Sequence, residues 1–214
     1  MLITDRPFTA RAKCGSIRPL RGRPPTTGAR DWPEPCRENT MKVLAINPGG
    51  TSTKIAVFDD ERELFNSNVQ HSEERINAFP SVASQRDYRK QTILAELGER
   101  GLSLADCDCV VGRGGLLKSI PGGTYRVNAA MLDDLANARF GEHPANLGPV
   151  LAKELADEAG IPSFIVDPVS VDEFWDIAKI SGISDLERPS WMHALNQKAV
   201  CREIARRLGG AYAD

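Results

Sequence analysis

Asn47-Pro48-Gly49-Gly50-Thr51-Ser52-Thr53-Lys54 gathers the most concentrated set of ligand-binding groups in the chain. Gly49 and Gly50 let the backbone approach a ligand with no Cβ in the way. Asn47, Thr51, Ser52 and Thr53 add short hydrogen-bonding side chains, and Lys54 adds a positive charge. A concave loop of amides and hydroxyls suits phosphate oxygens. The spacing does not match the G-x-x-x-x-G-K-[ST] loop, and a hairpin with an ordinary polar tip is the plain alternative.

Four other positions carry candidate chemistry. Arg113 lies among Gly112, Gly114 and Gly115; its planar fork could donate two hydrogen bonds to a phosphate or a carboxylate, or simply decorate a surface turn. Asp167 precedes Pro168. It reads either as a turn residue or helix cap, or as a carboxylate holding a water of a Mg²⁺ shell. His193 opens an amphipathic helix with Leu195, Ala199, Ile204 and Leu208 on the apolar stripe and Lys198, Arg202 and Arg206 opposite. A helix start can aim a ring and amides at an anion, although a lone helical histidine is commonly structural. His143 sits in the polar loop 141–146, and His71 reads as a solvated residue after a strand. Cys107 and Cys109 lack the two-residue gap of zinc knuckles and read as strand residues.

The elements that must hold these groups follow from periodicity. Short apolar runs at 43–46, 55–58 and 64–69 read as three strands, with Asp59 and Asp60 turning between the second and third. Residues 84–99 have helical spacing through Tyr88, Gln91, Leu94 and Leu97. A short strand at 109–111, a ribbon through 121–128, helices at 129–138 and 147–159 and a strand at 161–166 follow, and a further helix is expected near Val171. Hairpins first and crossovers later predict an α/β fold, a mixed β-sheet flanked by helices. In such sheets ligands bind at strand ends, where Asn47, Arg113 and Asp167 fall.

Composition changes at Met41. Residues 1–40 hold eight Lys/Arg against four Asp/Glu, with six prolines. Such a segment cannot bury enough surface to offset its ordering entropy, and it reads as an extension ahead of a domain at 41–214. An RNA-binding arm and a transit peptide are the other readings; Asp5, Asp31, Glu34 and Glu38 oppose the transit peptide. Beyond it 19 basic residues face 25 acidic ones, which opposes a nucleic-acid partner. Five cysteines at irregular spacing suit a reducing cytoplasm, and no apolar run approaches the length of a membrane span.

Taken together, Val43–Phe58, Val111–Leu117, Pro121–Asn128, Ile165–Pro168 and His193–Val200 resemble the butyrate kinases, a branch of the acetate kinase family. The resemblance runs in order through residues 41–214. It implies a ribonuclease H-like/actin-like ATPase domain and the reaction of ATP with butanoate to give ADP and butanoyl phosphate, with Mg²⁺. Carried over by position, Asn47 and the Gly49–Thr53 turn with Lys54 would contact the transferring phosphate. Arg113 would hold the carboxylate or phosphoryl group, His193 would bond a phosphoryl oxygen, and Asp167 would stand near the metal. The family's loop histidine falls beside Glu142 rather than clearly on His143, whose role stays open, and Gly50 stands where serine is frequent. Kinases of this fold have a second domain and are usually oligomeric. The resemblance therefore implies a truncated form with little activity alone, an apolar side of the last helix left uncovered, and a separately encoded C-terminal half as a possible complement. Butyrate, isobutyrate and other short acids are not separated, and a non-catalytic anion-binding half-domain is the alternative.

Overall fold

A computed structural model describes residues 40–212. The basic segment of residues 1–40 falls outside the described residues except for its last position. Three strands open the domain: β1 (Lys42–Pro48), β2 (Ser52–Asp59) and β3 (Arg62–Gln70). Then come α1 (Glu73–Asn77), α2 (Arg86–Gly98), β4 (Cys109–Arg113), β5 (Thr124–Arg126), α3 (Ala129–Ala136), α4 (Leu147–Ala159), β6 (Ser163–Val166), α5 (Asp176–Lys179) and α6 (Ala194–Arg207). They build one sheet in the order β3-β2-β1-β4-β6-β5. β1, β2 and β3 are antiparallel neighbours, β4 and β6 run parallel to β1, and β5 is antiparallel to β6. This is the mixed sheet that hairpins followed by crossovers predict.

Alternation along the strands decides what faces the core. Leu44 and Ile46 of β1, Ile55 and Val57 of β2 and Val110 of β4 point to one face, where Ile93 and Leu97 of α2 and Leu151, Ala152 and Leu155 of α4 cover them. The intervening residues Ala45 and Asn47, Ser52, Lys54 and Ala56, and Val111 and Arg113 stay half-buried on the opposite face. A second, smaller cluster joins Leu117, Val127, Leu135 and Ile165 under α3. α4 comes unusually close to β4, because a Cβ on Gly112 would lie 2.3 Å from the Gly148 carbonyl and one on Gly148 would lie 2.0 Å from that of Arg113. Side chains at either position would push the layers apart.

Four expectations need correction. No helix begins near Val171. That residue bridges Ile120, the Asp172 amide donates to the Ile120 carbonyl, and the Ser190 hydroxyl donates to the Val171 carbonyl. These partners hold the backbone extended, and the stretch up to α6 contains only the four-residue α5. The buried face of α2 is Arg89, Ile93 and Leu97; of the expected stripe Leu97 is buried, Tyr88 and Leu94 are half-buried, and Gln91 is exposed. His71 is buried rather than solvated, at 5% exposure. Its Nε2 lies 2.8 Å from Thr53 Oγ1 and its Nδ1 2.9 Å from the Tyr88 hydroxyl. Thr53 is wholly buried. It shares the parity of Ile55 and Val57, so its hydroxyl meets α2 and cannot reach a ligand in front of the turn.

No helix among the described residues is long and apolar enough to cross a membrane.

Candidate active site

The wet face of the sheet ends in a cleft of about 210 Å³. Asn47, Gly49, Ser52, Lys54, Arg113, His143 and His193 line it. Register explains the grouping. Asn47 of β1 pairs across to Lys54 of β2, and Ile46 pairs with Gly112 beside Arg113. Three strands thus deliver an amide, an ammonium and a guanidinium to one place. Of the turn residues, Gly50 and Thr51 form the exposed rim.

Arg113 is half-buried at the end of β4, and Asp167 follows β6 beside it. The Arg113 Nη2 stands 3.5 Å from Asp167 Oδ2. That is a charge pair too long for a tight hydrogen bond, which leaves the fork available. Burial lowers the pKa of Arg113 and the neighbouring Asp167 carboxylate opposes that; the guanidinium stays charged.

Asp167 lies behind the cleft wall, buried at 5% exposure. Its backbone is left-handed at φ 50°. Its Oδ1 accepts the Leu195 amide in the first turn of α6 at 3.0 Å, and its carbonyl lies 3.0 Å from His193 Nδ1. The carbonyl fixes Nδ1–H on His193 and presents Nε2 as the free ring nitrogen. As a metal residue, Asp167 brings one carboxylate with one oxygen already used as a cap. No cluster of three His, Cys, Asp or Glu able to hold a metal occurs among the described residues. Its Oδ2 faces Arg113 Nη2 at 3.5 Å and His193 Nδ1 at 3.4 Å, so this single carboxylate could serve a Mg²⁺ only through a water, the ion's other ligands being water and phosphate oxygens.

His143, whose role the sequence leaves open, joins the cleft. Pro144 at the first position of the 3-10 turn Pro144–Asn146 makes His143 its N-cap, and the His-Pro pair was the available signal. Its Nδ1 accepts the Ala145 amide at 3.1 Å, so the neutral ring carries its proton on Nε2. Burial, then the neighbouring His193 and Arg113, lower its pKa. His143 is a neutral hydrogen-bond donor rather than a cation.

No family model matches the chain. Among solved structures, the acetate kinase of Porphyromonas gingivalis is similar at TM-score 0.52 and 15% identity, over 80% of this chain and 50% of that one. The chain has the ribonuclease H-like, actin-like ATPase fold. A propionate kinase of Francisella tularensis is similar at TM-score 0.48 and 14% identity, over 81% and 50% of the two chains. The chain therefore spans about half the length of the kinases it matches.

The first hairpin and the end of β4 shape one wall of this cleft. That wall is basic, with Lys54 and Arg113 and no carboxylate on its lining. The set of amides, hydroxyls, cations and a neutral ring N–H can bind an anion with several oxygens.

Proposed function

We propose that this chain is the phosphoryl-transfer half of a carboxylate kinase of the butyrate kinase type. The convergence of the Gly49–Gly50 turn with Arg113, His143 and His193 in one cleft carries the reading. The reaction is ATP plus butanoate, or a short acid such as isobutyrate, giving ADP and the acyl phosphate in the cytoplasm. Asn47, Ser52 and Lys54 receive phosphoryl oxygens at the turn. Arg113 holds the acceptor carboxylate against the phosphoryl group with its two-pronged fork. His143 donates Nε2–H to a phosphoryl oxygen, and His193, as an imidazolium with its Nδ1–H on the Asp167 carbonyl, donates Nε2–H to the same group. A carboxylate oxygen attacks phosphorus as the bond to ADP breaks, and ADP leaves with the electron pair. The acceptor is already ionised, so no proton has to move, and positioning with charge stabilisation suffices. Mg²⁺ bound with ATP would neutralise charge on the phosphates, and Asp167 is the residue to hold one of its waters.

The adenosine side of the site is assigned to a complementing C-terminal half, and the working enzyme to an oligomer. Exposed Trp175, Ile177, Ile180, Trp191 and Leu208 support a covered surface there. A non-catalytic half-domain that binds an anion is the second reading, favoured by the span of about half of the matched kinases.

The test is acyl phosphate formation from butyrate, ATP and Mg²⁺, trapped as the hydroxamate. The full chain is assayed alone and with the second domain of an acetate kinase, beside Arg113→Ala. Turnover in either condition that Arg113→Ala lowers by 100-fold or more, on the order of a lost transition-state contact, supports the kinase. Turnover unaffected by that change, or none in both conditions, overturns it in favour of the non-catalytic reading.

A further inference from the structure

Under the Gly49–Gly50 turn, on the side away from the cleft, lies a cation with no part in the scheme above. Arg89 of α2 is wholly buried. Its Nη2 donates to the carbonyls of Gly49 at 2.8 Å and Gly50 at 3.1 Å. Its Nη1 donates to the Ser52 carbonyl and to Thr53 Oγ1, each at 2.9 Å. Nε and Nη2 both reach Gln85 Oε1, at 3.0 and 2.9 Å. Every one of these acceptors is neutral. Burial lowers the pKa of Arg89, and of the neighbouring groups only Tyr88 opposes that.

A guanidinium taken out of water without a counter-ion is expensive, by several kcal/mol. Pinning a turn needs donors, not a charge. What a permanent charge adds is a field on the far side of a thin layer of backbone. That far side is the cleft. By drawing three carbonyls of the turn downward, the fork also commits the peptide dipoles to one direction. The Gly49 amide closes the turn on the Ser52 carbonyl at 2.7 Å, whereas neither the Gly50 nor the Thr51 amide donates to a backbone carbonyl among the described residues.

We infer that Arg89 is a positioning residue for the phosphate site, holding the turn's carbonyls inward and leaving its own charge to be balanced by the phosphate bound above. The inference rests on the reading of the cleft as a phosphoryl site. It predicts an unusual coupling: a carboxylate placed beside Arg89 should improve its local pairing and yet weaken the anion.

Gln85→Glu tests this, because Gln85 Oε1 already accepts two bonds from Arg89 and the substitution keeps the shape while supplying the missing counter-charge. The ¹⁵N-labelled full chain is titrated with inorganic phosphate, following the amide signals of Gly49–Ser52. In the unsubstituted chain these signals shift along a saturable curve. Gln85→Glu folds with an unchanged or higher melting temperature and binds phosphate on the order of tenfold more weakly, the effect of one charge about 10 Å away at a protein surface. Arg89→Met loses the shift, and Arg89→Lys, which restores the charge without the fork, recovers part of it. If folded Gln85→Glu binds as tightly as the unsubstituted chain, Arg89 is only a pin and the inference fails. If the unsubstituted chain shows no saturable shift, the phosphate site itself fails, and the inference with it.

Discussion

The Asp167 carboxylate accepts the Leu195 amide at 3.0 Å, tying the end of β6 to the first turn of α6. The residue is held left-handed, at φ 50°, where asparagine is tolerated and alanine is not. Asp167→Asn keeps the backbone and an oxygen for the cap, and its urea midpoint should stay close to the original. Asp167→Ala should lose about 2–3 kcal/mol, from a missing cap at roughly 1 kcal/mol and the strained backbone at roughly 1–2 kcal/mol. Equal midpoints for the two variants would remove the cap from the account of this corner.

The close approach of α4 to β4 gives a second prediction. In Gly148→Ala the new methyl falls 2.0 Å from the Arg113 carbonyl, so helix and strand must separate. The expected loss is about 1–3 kcal/mol, together with weaker phosphate binding because Arg113 moves with its strand. Gly98→Ala is the control, since nothing lies within 4 Å of its added carbon. That variant should be neutral or slightly stabilised, by about 0.5–1 kcal/mol. Thermal unfolding of both variants distinguishes crowding at the contact from a general response to added methyls.

His71 makes the fold sensitive to mild acid. Burial, reinforced by the Arg89 charge, lowers its pKa from the ordinary 6.5. A folded pKa below the unfolded one means that the unfolded chain binds the proton more readily. The stability gained from a neutral His71 is therefore complete above about pH 6.5 and is lost as pH falls through the lowered value. Melting temperatures from pH 8 down to pH 5 should drop less steeply for His71→Gln, which cannot take up the proton. Parallel curves would show that His71 titrates alike in both states.

Much of this was legible in the sequence, and the gaps have physical causes. The hairpin, the crossovers and the helix closed by Gly160, which stands left-handed at φ 68°, follow from turn chemistry and periodicity. The cleft positions of Asn47, Lys54 and Arg113 also follow once each strand is read with period two. The same parity would have turned Thr53 inward with Ile55 and Val57. An arginine on a helix is ordinarily in water, so its residue type hides the burial of Arg89, although its spacing to Ile93 and Leu97 places it on the apolar stripe. His71 differs from its sequence expectation for a related reason. Its burial depends on Tyr88 and Thr53, brought to it by tertiary packing, and no local pattern encodes that meeting. The extended backbone around Val171 depends on Ile120, a partner far away in the chain that no local pattern reveals.

The alternation of β1, β2 and β4 has a consequence for how such a protein can change over generations. Side chains of one parity hold the sheet to α2 and α4, and those of the other line the cleft. Substitutions at Asn47, Lys54 or Arg113 leave the packed layer untouched, so the lining of the cleft can vary from one lineage to another while the sheet remains folded at each step. Heritable variation in chemistry is thereby insulated from the risk of unfolding.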